Sequence, residues 1–379
     1  VNFSDIQTPA LLLDQQRLRR NCQAMKARAA AAKLLLRPHL KTAKCLEVAR
    51  LATQQDQPAL TLSTLAEARY FAAGGFTDLT YAVGLTPQKV AEVAALLNQG
   101  VGLTCLTDNL AALPLLAGEA RRAGVTLPLL IEIDCGGGRA GVDADGAELL
   151  ALGRAIAVNP ALELRGVLTH AGQSYACGSI LEIAAVAELE RSAVVRAAQR
   201  LRAAGLSCAV VSAGSTPTAV HARDFTGLTE IRPGVYCFYD MDQQGIGSCG
   251  PQDQALSVLA TVIGHNPRRG RILIDAGALA LSKDLSAGAF FDHLGYGLVC
   301  PEGSLTPLPG LYVSEAHQEH GMIAARSGAL PYARLPVGQR VRILLNHACI
   351  TAAAYDRYHL VDGGATPRVV GHWSRLRGW

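Results

Sequence analysis

Apolar residues along this chain fall into two textures. Up to about residue 245, short apolar runs alternate with longer stretches in which apolar positions recur every three or four residues. The short runs are ALLLD (10–14), LLLRP (34–38), ALTLST (59–64), DLTYAV (78–83), GLTCLTD (102–108), LLIEID (129–134), LRGVLTH (164–170), CAVVSAG (208–214) and TEIRPGVY (229–236). Their length and content predict buried strands. Between them, TAKCLEVARLATQ, TPQKVAEVAALLNQG and IAAVAELERSAVVRAAQRLRAAG carry the spacing of amphipathic helices. Alternating β and α elements predict parallel strands with helical crossovers, and an α/β fold with a (β/α)8 TIM barrel over residues 8–245 is the leading expectation. Beyond it, ALSVLATVIGH, GRILIDAGALALS, GLYVSEA and QRVRILLNHACI are β-rich runs joined by Gly and Pro turns. They predict a separate C-terminal β domain over residues 246–379. Whether residues 1–7 pack with that domain stays open at this level.

Half of the 379 residues are apolar and 17% are charged, which suits a substantial core and excludes a disordered chain. The net charge of +4 is too small to indicate nucleic acid or a membrane surface, so the expected partner is a small molecule. No apolar run reaches the roughly 18 residues of a membrane helix, and VNFSDIQTP has neither the basic nor the apolar region of a signal peptide. A cytoplasmic protein is expected. The ten cysteines lie singly, without CxxC pairs, and read as reduced, buried hydrophobes, with Cys349 as the exception.

A barrel places its chemistry where its strands end. LLLRP runs into His39 and Lys41; LLIEID ends at Asp134, before CGGGR and Arg139; LRGVLTH ends at His170, before GQSY and Tyr175; CAVVSAG runs into GSTPT. Beside Arg37, His39 and Lys44, the ammonium form of Lys41 is disfavoured by like charge, which helps supply the neutral amine that condenses with an aldehyde. A solvated lysine at a helix start is the other reading, and the spacing alone favours it. GSTPT (214–218) and RPGVY (232–236) put glycine, hydroxyls and backbone amides after adjacent late strands, a frequent phosphate site in such barrels. Either loop alone reads as an ordinary turn; the two together favour a phosphate cup. A lysine with a phosphate cup suggests pyridoxal phosphate.

His347 and Cys349 stand two apart in RILLNHACITAA, a run that reads as extended, so both side chains are expected on one face. Imidazole and thiolate suit zinc first, with manganese, cobalt or magnesium as alternatives, and two protein ligands leave positions for water and substrate. The spacing alone favours a buried histidine beside an inert cysteine. EAHQEHG (315–321) is a second metal site, a substrate contact or a polar turn.

In order along the chain, RPHLKTAK, STLAEA, EIDCGGGRAGV, THAGQSY, SAGSTPT, EIRPGVYCFYD, the QEHG turn and NHAC resemble the D-serine dehydratase and D-threonine aldolase family, over residues 8 to about 350. The resemblance implies the alanine racemase-like fold of pyridoxal phosphate enzymes, a barrel followed by a β domain, commonly as a homodimer. It implies that Lys41 bonds the cofactor aldehyde, that Arg139 lies beside the phenolic oxygen, and that His170 and Tyr175 line cofactor and substrate. Gly214, Ser215 and Thr216, with Gly234 and Val235, match the family's phosphate loops, and Tyr236 follows them. Arg232 stands where alanine racemases place an arginine facing the pyridine nitrogen, a role from which the aldolases depart. His-x-Cys resembles the dehydratases of D-serine and D-threo-3-hydroxyaspartate, whereas the aldolases usually show His-x-Asp. The expected reaction is loss of water from a D-3-hydroxy amino acid, yielding a 2-oxo acid and ammonia. Retro-aldol cleavage to glycine and an aldehyde is the alternative. Racemisation needs no metal pair, and a non-catalytic cofactor carrier typically lacks a β domain.

Overall fold

The structure, a computed structural model, describes residues 3–364 and 366–379. Its contacts divide the chain into two units: residues 24–41 with 48–234, and residues up to 23 with 42–47 and 235–378.

The first unit is built on eight parallel strands: β1 (Leu35–Leu36), β2 (Ala59–Leu62), β3 (Asp78–Gly84), β4 (Gly102–Thr107), β5 (Leu127–Asp134), β6 (Leu162–Thr169), β7 (Val210–Ala213) and β8 (Glu230–Ile231). Neighbours pair in sequence order, β8 pairs with β1 through Glu230↔Leu35, and a bridge between His39 and Thr61 joins the ends of β1 and β2. The sheet therefore closes into the expected (β/α)8 barrel. Leu106, Leu130 and Leu168 meet as one buried cluster from β4, β5 and β6. Because side chains alternate with period two, positions 108, 132 and 170, two residues further along, continue that facing direction beyond the leucines.

Three expectations are corrected. ALLLD (10–14) is not a barrel strand: it pairs antiparallel with Leu256–Asn266 and parallel with Arg357–Val361 in the second unit. All five residues are buried, so apolarity alone could not say which sheet they enter. TEIRPGVY shrinks to Glu230–Ile231, since Pro233 has no N–H to donate and Val235–Cys237 coils into a 3-10 turn. The strand in QRVRILLNHACI stops at Leu344, and Ala348–Ala352 is a short helix.

In the second unit, Leu256–Asn266 pairs with Ala10–Asp14 near its start and with Arg271–Ile274 near its end, with an irregularity between Val262 and Gly264. Leu256–Asn266 also pairs with Arg340–Leu344, and this pairing together with that to Arg271–Ile274 closes six strands on themselves, in the order Arg271–Ile274, Gly321–Ala325, Leu311–Ala316, Leu298–Pro301, Arg340–Leu344, Leu256–Asn266. Ala10–Asp14, Arg357–Val361 and Val369–Ser374 extend the sheet from there. Phe3 and Ile6 are buried with Leu12, Leu259 and Val361. No helix of the described residues is long and apolar enough to cross a membrane.

Candidate active site

At the C-terminal ends of the barrel strands lies a cavity of about 260 Å3, faced by His39, Lys41, Glu132, Arg139, His170 and Arg232. Leu168 of β6 forms part of its wall, and His170 stands two residues further on, just past the end of that strand. Glu132 likewise stands two residues beyond Leu130, within β5. Residues that close the barrel interior are thus followed, on the same face, by the residues that line the opening.

The cations are distributed differently from the expected cluster around Lys41. Arg37 donates to Glu230 (2.8 Å) and to Asp78 (2.7 Å), and Asp78 begins its strand, away from the mouth. Lys44 Nζ donates to the Gly378 carbonyl at 2.8 Å. Arg139 and Arg232 share the cavity with Lys41 instead. The Arg232 guanidinium, 5% exposed, is fixed by bonds to Ser212 Oγ (2.7 Å) and the Thr169 carbonyl (2.6 Å). Ser212 in turn donates to Glu230 at 2.6 Å, so Arg37, Glu230, Ser212 and Arg232 form one buried chain.

Burial, Arg232, Lys41 and Arg139 lower the pKa of His170 to about 3. Burial, Lys41, Arg232 and His170 hold His39 well below the ordinary imidazole range. Both rings are therefore neutral at physiological pH. Burial raises the Glu132 carboxyl, against the opposing charge of Arg139, whose guanidinium is 3.8 Å away.

The two expected phosphate loops do meet within the barrel unit. Gly214 has φ +104°, in the left-handed region that favours glycine. Ser215 caps the helix Thr216–His221 through Thr218 N–H and contacts Ser174 Oγ at 2.9 Å. Gly234 N–H donates to Thr216 Oγ1 at 3.3 Å, and a Cβ at Gly234 would approach the His39 carbonyl to 2.7 Å. Val235 and Tyr236 are buried in the turn that opens the second unit. Tyr175 lies half-buried in the 3-10 turn Gly172–Ala176 and is not part of the cavity wall.

Glu190 was not anticipated as a site residue. It lies on the helix Ile180–Ala203, is 2% exposed, and accepts from Ala171 N–H (2.8 Å), from the Gly214 backbone and from Thr218. One carboxylate thus joins the loop after β6 to the loop after β7. Its signal was present in the sequence: Ile183, Ala187, Glu190, Val194, Ala197 and Leu201 form one buried stripe with an acid at its centre. Glu132 had a similar signal, as an acid in an otherwise apolar strand.

His347 and Cys349 sit at the start of the short helix, not on a strand. His347 is its N-cap with an extended backbone (φ −135°), and the two side chains still meet in a hydrogen bond. Asp284 Oδ2 lies 2.7 Å from His347 Nδ1, which leaves Nε2 for another partner. Thr42 Oγ1 lies 2.8 Å from the Cys349 sulfur. Burial lowers the His347 pKa, but Cys349, Asp240 and Asp284 outweigh it and raise the ring to about 10. Among the described residues no group of three or more His, Cys, Asp or Glu side chains is arranged to hold a metal. The pair nevertheless fits a borderline divalent ion that keeps exchangeable positions, as judged by its nitrogen and sulfur donors. In the QEHG segment, Gln318, Glu319 and His320 form an exposed turn after Leu311–Ala316, and Gly321 is the buried first residue of Gly321–Ala325. In the barrel unit, a lysine opening on the cavity and a backbone cradle that a Cβ at Gly234 would fill both fit pyridoxal phosphate.

Comparison with known proteins agrees with this architecture. Residues 13–242 match the alanine racemase N-terminal domain, and residues 255–361 match a serine dehydratase domain. The chain is 42% identical to a D-threo-3-hydroxyaspartate dehydratase of Delftia sp., covering 99% of this chain and 98% of that one. The solved structure of that enzyme superposes with a TM-score of 0.94 over the whole of both chains, as does a form with one cysteine replaced by alanine that is described as metal-free. A D-serine dehydratase of Dictyostelium discoideum is 29% identical over 95% of each chain. With its barrel and its second domain both matched, and a relative of this identity spanning them, the chain belongs to the alanine racemase-fold family of pyridoxal phosphate-dependent enzymes, in the branch that carries a serine dehydratase domain.

Proposed function

We propose that the protein is a dehydratase of D-3-hydroxy amino acids, D-threo-3-hydroxyaspartate or D-serine, releasing a 2-oxo acid and ammonia. The observation that carries this reading is the His347–Cys349 donor pair in a chain whose barrel mouth presents Lys41. Bound pyridoxal phosphate supplies a carbonyl that joins the substrate amine and a ring that takes up the electron pair left at the α carbon. Lys41 would hold the cofactor aldehyde, and its free amine would take up the α proton. Gly214, Ser215, Thr216 and Gly234 would grip the phosphate, a role that the family resemblance extends to Val235 and Tyr236. Arg139 and His170, both on the cavity wall, would face the cofactor's phenolic oxygen and its ring with the substrate, whereas Tyr175, off that wall, is left without a role there. Arg232, held by Ser212 and Thr169, is the fixed cation assigned to the ring nitrogen. His347, oriented by Asp284, and Cys349 would hold a divalent metal, zinc in the first place, which supplies Lewis acidity toward the 3-hydroxyl.

The test is release of ammonia and 2-oxo acid across a panel of D-3-hydroxy amino acids, with the L-isomers as controls. Glycine and acetaldehyde from D-threonine would instead mark an aldolase and overturn the reading. Lys41→Ala should abolish both turnover and the yellow absorbance of the lysine-bound cofactor. We assign the enzyme to the cytoplasm, which suits its singly placed cysteines, and to a homodimer, to be checked by light scattering.

A further inference from the structure

In the second unit a cavity of about 320 Å3 is lined by Arg17, Arg20, Arg342, Asp14, Ser304 and Gly363, among others. None of these residues lines the active-site cavity. Arg342 lies on the strand Arg340–Leu344, where Leu259 and Cys300 flank it in register, and it is 1% exposed. Its Nε donates to Ser257 Oγ at 2.9 Å, but among the described residues Nη2 has no hydrogen-bond partner. Arg17 spends one amino group on the carbonyls of Pro251 and Gln254, and Arg20 bonds the Gln252 carbonyl. Asp14, the one carboxylate named in this wall, accepts the Arg17 backbone N–H (3.0 Å) and lies 3.6 Å from the Arg17 guanidinium. Three guanidiniums thus face one carboxylate that is already engaged. A buried guanidinium without a matching charge is strongly unfavourable, and guanidinium donors suit planar or tetrahedral oxyanions.

We propose that this cavity binds a small phosphate, either inorganic phosphate or the phosphate group of a small ester, with Arg342 as its buried anchor and Arg17 and Arg20 as its outer cations. Burial lowers the Arg342 pKa to about 10, with Asp14 opposing the shift, so the side chain remains charged at neutral pH.

The test uses the holoenzyme, in which the cofactor fills its own phosphate loops and leaves this cavity as the site to be titrated. Its melting temperature is followed against inorganic phosphate and against glycerol 3-phosphate, with ionic strength held constant by sodium chloride. The expected result is a saturable rise of roughly 2 °C at ten times the dissociation constant. It should be lost in Arg342→Met and weakened in Arg20→Gln, whose exposed side chain is not needed for folding. Saturation at lower ester than phosphate concentration would identify an ester as ligand, and the reverse would identify free phosphate. No rise beyond the chloride control, or an equal rise in Arg20→Gln, would overturn the proposal even if Arg342→Met fails to fold.

Discussion

Replacing Glu190 tests whether the active-site loops are held by one buried carboxylate. In Glu190→Ala, the Ala171 N–H, the Gly214 backbone donor and the Thr218 hydroxyl lose their acceptor in an enclosed site. An orphaned buried donor costs about 1–3 kcal/mol. Two effects reduce the sum: Thr218 retains its contacts with Ser215, and removal of the acid relieves the burial that raises its pKa. A net loss of about 2–4 kcal/mol is expected for the cofactor-free protein in urea denaturation. Glu190→Gln keeps one acceptor oxygen but turns an amide donor toward existing donors, so it should lose about half as much. Because the same loops carry His170 and the Gly214–Thr216 cradle, cofactor affinity measured by absorbance titration should fall roughly tenfold in the alanine variant. A Glu190→Ala variant that stays within about 0.5 kcal/mol of wild type and binds the cofactor equally well would show that this carboxylate does not hold the loops.

Three further outcomes are expected. His170 is neutral in the folded state and has an ordinary pKa when unfolded, so its contribution is complete above about pH 6.5 and is lost as pH falls toward 3, at about 1.4 kcal/mol per unit. Stability of the cofactor-free protein should therefore fall less steeply between about pH 6 and 4 in His170→Asn; an unchanged slope would remove the argument. Cys349→Ala, or exhaustive chelation, should stop turnover while the cofactor absorbance remains, and full activity after chelation would contradict the role given to the pair. Arg37→Met leaves the 2%-exposed Glu230 without its cation and should cost about 3–5 kcal/mol. Adding Glu230→Leu should recover part of that loss in urea denaturation, whereas a simple sum of two losses would show that the pair is not coupled.

The barrel was legible because its strands are short apolar runs separated by helices with clear spacing, and because GST and RPG punctuate the last two strands. Pairing partners were not legible. Residues 10–13 are apolar on both faces, so nothing in them chooses between a barrel and a mixed sheet, and the choice was made by partners about 245 and 345 positions downstream. That Lys41, Arg139 and His170 line the cavity at the strand ends was legible because each follows a strand. Glu190 acts from the middle of a helix, and only its place in the buried stripe betrays it. The expected like-charge cluster around Lys41 failed for a related reason: Glu230 and Asp78, remote in sequence, take up the charge of Arg37. His347 and Cys349 were correctly seen as adjacent on a wrong backbone, since an N-cap with extended torsions keeps its side chain within reach of the cysteine two residues on, in the first turn of the helix.

The pairing of Ala10–Asp14 also sets an order of events on the ribosome. This segment emerges early but finds its neighbours only when residues 256–259 and 359–361 have been synthesised. At bacterial-to-eukaryotic elongation speeds of about 5–20 residues per second, that is a wait of tens of seconds. In the meantime a run of four apolar residues, Ala10–Leu13, remains available to chaperones or to another nascent copy. A chain terminated before residue 357 would never provide its parallel neighbour, and nonsense or proteolytic truncation at the far end would therefore be felt first near the beginning.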